Sequence, residues 1–196
     1  MKKDITHYLL FVGLIVIFIT CGGGPTEPSY EELINDGWLA FSQSEYQNAS
    51  DKFSEAKTKD PEEAVAYTGL GWSFLKLDNL IQANSEFSAG SAKNNASADL
   101  FAGWAFVLNA RKNYTKSNTE ANEALSLDPS WSFPYGLSLD VDDLHVLKAE
   151  NYFLLGDFAN SLTEVKILNP NFDVDITTRE GQASLAKEIE RLKEVS

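Results

Sequence analysis

The sequence predicts an all-α solenoid of antiparallel helix pairs, and three observations support this fold class. First, similar residues recur at a spacing of 34 residues, as Gly37 and Gly71 do. Second, apolar residues in these stretches follow each other at three- and four-residue spacing, which is typical of amphipathic helices. Third, helix-start and turn signals separate the stretches. A chain that repeats one such unit stacks its copies, and the extended surface of the stack favours binding over catalysis.

The period gives two clear units and a weaker third. The pairs that share the spacing are Gly37 and Gly71, Trp38 and Trp72, Ala49 and Ala83, and Phe53 and Phe87. The third copy continues with Ala105, Phe106 and Ser117. Small residues on facing helices let the helices cross closely, and the phenylalanines fill the space beside them.

Helix starts are marked by capping residues. Ser29 with Glu32 forms a capping box in front of the first helix. Pro61 and Glu63 begin the second unit in a similar way, with the proline in the first helical turn. Thr177 with the Glu three residues later predicts a capping box for the last helix.

These residues resemble the tetratricopeptide repeat (TPR), in which a small residue in the first helix precedes an aromatic residue, alanines and a closing proline in the second. The resemblance implies a right-handed superhelical solenoid with about three regular repeats, a degenerate fourth and a C-terminal capping helix. The predicted segments are repeat 1 over 29–61, repeat 2 over 62–95, repeat 3 over 96–129, an aromatic insertion over 130–141, a degenerate repeat 4 over 142–170 and the capping helix over 176–196. We expect the insertion to pack as a plug against the stack.

The N-terminus has the features of a secretion signal over residues 1–20. Two lysines precede an apolar run over 8–19, which at about 1.5 Å per residue is shorter than the ~30 Å hydrocarbon core of a membrane. The run ends at Cys21, the only cysteine of the chain.

This arrangement resembles the lipobox of bacterial lipoproteins, although Thr20 stands where Ala, Gly or Ser is usual. The resemblance implies a lipid anchor on Cys21, followed by a flexible tether over 21–28. Because Gly22 is not Asp, it also implies the outer membrane, with the periplasmic or the surface face left open. An ordinary signal peptide or an uncleaved anchor is the alternative.

Composition restricts the partners. The chain has 16 basic and 29 acidic residues, a formal net charge of −13, so nucleic acid and anionic membrane surfaces would repel it. We therefore expect a protein or peptide partner and no nucleic acid.

No set of residues predicts an enzyme, a cofactor or a metal site. Once a signal is removed, His145 is the only histidine, and no cysteine or second histidine stands at metal-ligand spacing. Asp140, Asp142 and Asp143 fit the start of a helix, where the helix dipole favours acidic residues. No nucleophile, base and orienting group occur together.

A second apolar stripe, about 100° from the packing stripe of each first helix, is the candidate binding surface. In the TPR family the first helices line a concave groove that binds peptides. The resemblance therefore places six residues in a groove for a partner: Trp38, Phe41, Trp72, Leu75, Phe106 and Asn109. Trp131, Phe133 and Tyr135 of the insertion form a candidate rim, and the stripe could continue to Phe153. The alternative is that these aromatics are core, packed between units or beneath the insertion or the last helix.

The sequence thus predicts a membrane-anchored scaffold or adaptor lipoprotein that binds a protein or peptide through an aromatic-lined groove. Two alternatives remain. A small-ligand lipoprotein, for example one that binds glycans, would have a closed aromatic pocket built with the insertion. A structural spacer of an envelope complex would have its aromatics fully buried.

Overall fold

The computed structural model describes residues 27–195, so the predictions for the signal peptide and for Cys21 lie outside the described residues. Within 27–195 the chain forms nine helices: α1 Tyr30–Ser42, α2 Tyr46–Lys59, α3 Ala64–Lys76, α4 Leu80–Gly90, α5 Ala98–Ala110, α6 Tyr114–Leu127, α7 Val141–Leu154, α8 Phe158–Leu168 and α9 Arg179–Lys193. Among these residues, β-pairing is limited to two isolated bridges. The all-α fold class is confirmed.

The helices stack as pairs. The pairs are α1 with α2, α3 with α4, α5 with α6, and α7 with α8, and the first helices of successive pairs also contact one another. We call the surface formed by these first helices, α1, α3, α5 and α7, the inner surface. Helix α9 packs against α7 and α8 at the end of the stack. Contacts between neighbouring units only are the pattern of a solenoid.

Each phenylalanine of the seam fits between two glycines. A Cβ atom at Gly37 would lie 2.6 Å from the ring of Phe53, and one at Gly69 would lie 2.5 Å from it. The same arrangement recurs 34 residues later, with Phe87 against Gly71 and Gly103. The recurring glycines therefore provide the space that the rings fill, as the spacing predicts for Gly37 and Gly71.

One predicted helix start is observed and another is shifted. Ser29 N donates to Glu32 Oε2 at 2.7 Å and Glu32 N donates to Ser29 Oγ at 3.2 Å, which is the predicted capping box. Helix α3, in contrast, begins at Ala64, and Pro61 lies in the turn before it. The backbone there is held by Asn94, whose N–H donates to the carbonyl before Glu63 and whose carbonyl accepts from Ala64 N, both at 2.9 Å.

The start of α9 is also one residue later than predicted. Thr178 is the N-cap, and its Oγ1 accepts from Gly181 N at 3.0 Å. Thr177 cannot serve because its hydroxyl donates to Asp175 Oδ1 at 2.6 Å in the preceding turn. Competition of this kind between local turns and helix caps is common for short polar side chains.

The segment between α6 and α7 is extended and closed at its base. Ser132 and Asp140 form an antiparallel bridge, and Phe133 N donates to Leu139 O at 2.8 Å. Inward and outward side chains alternate from 131 to 139, which is the two-residue period of an extended chain. The inward side chains are Trp131, Phe133, Tyr135, Leu137 and Leu139. We call residues 131–139 the insertion; as expected, it packs against the stack.

The fourth helix pair keeps the geometry of the third in a shifted register. Ser117 Oγ donates to Ala105 O, and Ser161 Oγ donates to Ala149 O, each at 2.8 Å. These equivalent residues are 44 apart, so the insertion adds ten residues to the period. Beyond this pair, Leu185, Ile189 and Leu192 of α9 join the core of α7 and α8, as predicted for a capping helix.

Within residues 27–195, no helix has the length and apolar character needed to cross a membrane.

Candidate functional site

The insertion covers the half of the inner surface that belongs to the first two helix pairs. The ring of Tyr135 stacks on Trp38 with centroids 3.8 Å apart and an interplanar angle of 6°. The ring of Phe133 lies 4.3 Å from Trp72 and 6.1 Å from Trp38. These contacts leave Trp38 only 7% exposed and Trp72 only 1% exposed. This half of the inner surface is occupied by the chain itself.

Asp99 anchors the beginning of the insertion. Trp131 Nε1 donates to Asp99 Oδ1 at 2.8 Å, and Trp72 Nε1 donates to the Asp99 carbonyl at 2.9 Å. Burial raises the pKa of the Asp99 carboxyl, which the hydrogen bond from Trp131 only partly opposes, and the charge of Asp128 raises it further. One residue at the start of α5 thus fixes one indole from α3 and one from the insertion.

The expectation of an exposed aromatic ladder therefore does not describe Trp38, Phe41 and Trp72. Phe41 is 1% exposed, with the ring of Phe133 at 5.8 Å. The alternative drawn from the sequence, core packing beneath the insertion, describes these three residues. The insertion itself differs from the candidate rim, because Trp131 and Phe133 are buried and point into the surface.

Three of the predicted groove residues lie on the half that the insertion leaves open: Leu75, Phe106 and Asn109, all partly exposed. Phe153, 44 residues after Asn109, continues their line on α7 and is also partly exposed. We call these four residues the open track.

Three adjoining hollows follow the open track. The first, of about 410 Å³, is lined by Trp72, Leu75, Lys76, Phe106 and residues 137–139. The second, of about 260 Å³, shares Phe106 with the first and is lined further by Asn109, Asp143, Val146, Leu147, Glu150 and Lys193. The third, of about 140 Å³, shares Glu150 with the second and is lined further by Phe153, Leu154, Ala186, Ile189 and Glu190. An elongated ligand could therefore contact α3, α5, α7 and α9 in succession.

Charged groups stand along the open track. Lys76 is exposed at the α3 end, with its Nζ 5.6 Å from the ring centroid of Tyr46. At the α7 end, Lys193 Nζ forms an ion pair with Glu150 at 2.6 Å. The surface thus combines an apolar floor with cationic and anionic groups at its border, as binding sites for polypeptide segments do.

Asn109 also has a structural role that the sequence did not indicate. Its Nδ2 donates to Asn151 Oδ1 at 2.8 Å, and Asn151 Nδ2 donates to Ser117 Oγ at 2.9 Å and to Asn118 Oδ1 at 2.8 Å. Asn151 is fully buried. The orientation of Asn109 in the open track is therefore fixed by a network that joins α5, α6 and α7.

Sequence reasoning missed Leu137, Leu139 and Asp99. Leu137 and Leu139 belong to an alternating pattern, Trp131-x-Phe133-x-Tyr135-x-Leu137-x-Leu139, which is typical of an extended segment with one buried side. That pattern was a usable signal. Asp99 gave no signal, because a single acidic residue in the first turn of a helix has an ordinary explanation in the helix dipole.

Within residues 27–195, no group of three or more His, Cys, Asp and Glu side chains is placed to hold a metal ion. His145, which the sequence analysis treats as a packing or surface residue, lies 2.7 Å from Glu164 Oε2 through its Nδ1.

Solved structures share the fold, whereas no protein-family model and no curated protein matches the sequence. YrrB, a TPR protein with an unusual peptide-binding site, is 16% identical with a TM-score of 0.64, over 83% of this chain and 86% of that one. MamA is 16% identical with a TM-score of 0.60, over 85% and 81%. A thermophilic TPR protein of Thermus thermophilus is 17% identical with a TM-score of 0.56, over 83% of each chain. At these identities the similarity shows the TPR fold.

Proposed function

We propose that this TPR-fold protein is a scaffold that binds a segment of a partner protein along the open track and is held at a bacterial membrane by a lipid on Cys21. The observation that carries the binding proposal is the division of the inner surface. One half is filled by the insertion, and the other half keeps partly exposed apolar side chains, Leu75 and Phe106, beside hollows that adjoin one another.

The shape of the open track supports a polypeptide ligand. Its three hollows lie in a line across four helices, which fits an elongated chain better than a compact molecule. Exposed apolar groups in a continuous row are typical of protein interfaces. The peptide-binding site of YrrB, which has the same fold, is in keeping with this use of the surface.

The structure gives less support to a glycan site. Such a site needs free aromatic faces, but Trp131 is 1% exposed, Phe133 is 5% exposed, and the ring of Tyr135 is stacked on Trp38. The spacer alternative fits the buried rings of the first two pairs, whereas the partial exposure of Phe106 on the open track favours binding.

The binding proposal is tested by capturing partners from the native cells with the full chain and with two variants. Phe106→Ala removes the ring at the centre of the open track. Ile81→Ala is the matched control, since Ile81 is 72% exposed and lies outside the hollows of the track. We expect a captured protein to be lost with Phe106→Ala and kept with Ile81→Ala, while both variants melt like the wild type. Equal capture by both folded variants would contradict the proposal.

The anchoring proposal is supported by the position of the single cysteine directly after the apolar run. Two acyl chains give stable membrane attachment where one chain is marginal. We propose the outer membrane, because Gly22 follows the cysteine. Fractionation of cells that express Cys21→Ser tests this: the wild type should sediment with outer membranes and incorporate labelled fatty acid, and the variant should do neither. A variant that still incorporates the fatty acid would exclude Cys21 as the lipidated residue.

A further inference from the structure

The insertion occupies the inner surface in the manner of a bound peptide. It is extended from 131 to 139, and its inward side chains alternate with the outward Ser132, Pro134, Gly136 and Ser138. A groove that binds an extended peptide holds alternate side chains in pockets and leaves the others in solvent. The aromatic half of the inner surface is therefore shaped for a segment with aromatic residues at every second position.

The tip of the insertion is held by ring contacts alone. Its beginning is fixed by the hydrogen bond from Trp131 to Asp99, but in the described part of the chain no hydrogen bond joins residues 132–139 to the helices. Gly136, at the tip, has φ +82°, and a Cβ there would lie 3.2 Å from the Cα of Ser42. A hollow of about 410 Å³ borders the insertion near Trp131 and Pro134, and another of the same volume borders it at 137–139.

Trp38 is left with an unsatisfied donor beneath this tip. The other three tryptophans of the chain each donate to an acceptor: Trp72 to Asp99 O at 2.9 Å, Trp104 to Asn84 Oδ1 at 3.1 Å, and Trp131 to Asp99 Oδ1 at 2.8 Å. Trp38 Nε1 is buried and has no acceptor among residues 27–195. Leaving a buried donor unpaired is unfavourable, so the covered state is less than optimal at this point.

We propose that the surface around Trp38 is a peptide site, that residues 133–137 are its built-in occupant, and that its ligand is an extended segment of a partner with aromatic side chains at alternate positions. The partner segment takes the places of the Phe133 and Tyr135 rings and supplies a backbone carbonyl to Trp38 Nε1. This inference rests on the proposed function and extends it, because it adds a second site to the inner surface and states the chemistry of the segment that fits it.

The test uses the full chain with the site emptied by Phe133→Ser and Tyr135→Ser together. The probe is a synthetic peptide with the sequence of residues 130–138, Ser-Trp-Ser-Phe-Pro-Tyr-Gly-Leu-Ser, labelled with a fluorophore. The control peptide has serine in place of the Phe and the Tyr. We expect the emptied variant to bind the probe saturably and at least tenfold more tightly than the wild type, and the control peptide at least tenfold more weakly than the probe.

The role of the indole N–H has its own variant. Trp38→Phe in the emptied chain keeps a ring but removes the donor, so probe binding should weaken about two- to tenfold, as for one lost hydrogen bond. If the double variant does not fold, Tyr135→Ala alone is used, because it uncovers Trp38 and keeps Phe133 in the core. A folded variant that does not bind the probe, or that binds the control peptide equally well, would overturn the proposal.

Failure of this inference and failure of the proposed function have different results. If the probe does not bind but partner capture still depends on Phe106, only the peptide site at Trp38 is wrong. If partner capture is independent of Phe106, the proposed binding surface is wrong whatever the probe does.

Discussion

At the scale of single residues, the packing between helix pairs depends on the fit between one ring and two glycines. Phe53 is fully buried and lies against Gly37 and Gly69. Emptying a well-packed site of a phenylalanine ring creates a cavity that the surrounding helices fill only partly. Glycine at the two opposing positions allows this close approach but leaves no side chain to collapse into the space.

We therefore predict that Phe53→Ala lowers the free energy of unfolding by about 3–5 kcal/mol in urea titrations. The control is Ile81→Ala, at a 72% exposed residue, which should change it by at most about 0.5 kcal/mol. Similar effects of the two substitutions would show that the Phe53 ring is not packed as described.

Glu164 is the second residue on which stability should depend strongly. Its Oε1 lies 2.7 Å from Lys148 Nζ and its Oε2 lies 2.7 Å from His145 Nδ1, and the side chains of Lys148 and Glu164 are 8% and 10% exposed. Burial alone raises the pKa of Glu164, but the hydrogen bonds and charges of His145 and Lys148 outweigh it and hold the pKa below its usual value.

A carboxyl with a lowered pKa in the folded state contributes stability that is fully present above its unfolded pKa of about 4.3 and is lost as the pH falls through the folded pKa. Glu164→Gln should therefore destabilise the protein by about 3–5 kcal/mol at pH 7, because it leaves Lys148 buried without a counter-charge. The difference from the wild type should shrink below about pH 4.3.

Thermal melts between pH 3 and pH 7 measure this difference, with Asp173→Asn as the control. Asp173 pairs with Lys166 at 2.7 Å, but its side chain is 82% exposed, so its removal should change stability by less than about 1 kcal/mol. A constant difference between wild type and Glu164→Gln across this pH range would contradict the assignment.

At the scale of elements, the junction of α5, α6 and α7 is specified by the buried amide of Asn151. Its two hydrogen bonds to Ser117 and Asn118 and the one it accepts from Asn109 connect the third pair to the fourth. The position 44 residues earlier holds Val107, which is also fully buried. An amide in place of an apolar side chain therefore marks the point where the insertion has shifted the register.

We predict that Asn151→Ala costs at least about 1–3 kcal/mol, because it leaves buried polar partners unsatisfied. Asn48→Ala, at an exposed residue of α2, is the control and should be nearly neutral. Hydrogen exchange should show the loss of protection in α5 to α7 rather than in α1 and α2. Uniform loss over all helices would indicate that the network has no special role at this junction.

The elements also show what the sequence could predict. The helix pairs and the small residues at Gly37 and Gly71 follow from the 34-residue period, because every copy must meet the same packing requirement. The seat of the insertion does not follow from it. An apolar stripe on a helix must be covered, but the stripe does not specify whether a partner, a neighbouring helix or a distant segment such as Phe133 covers it.

Volume exchange is another feature that the period alone could not reveal. Where the third pair has Ala121, 34 residues after Phe87, the next first helix has Leu147, 44 residues after Gly103. Both side chains belong to the same buried cluster. A large residue has moved from the second helix to the following first helix, so the core stays filled although the repeat pattern is lost.

At the scale of the whole molecule, the insertion makes the aromatic half of the inner surface part of the core. All four tryptophans of the chain are at most 7% exposed, namely Trp38, Trp72, Trp104 and Trp131. We predict that acrylamide, a neutral quencher, reduces the fluorescence of the native protein several-fold less than that of the urea-unfolded protein. Quenching of the native protein close to the unfolded value would show that the insertion does not cover Trp38 and Trp72 in solution.

The central claim at this scale is that a partner binds along the open track. The most direct measurement places a photo-crosslinking phenylalanine analogue at Phe106, where it replaces a similar ring, and in a second chain at Ile81 outside the track. After irradiation of cells, we predict a covalent adduct with a partner protein from position 106 and none from position 81. An adduct formed from position 81 alone, or equally from both positions, would contradict the claim.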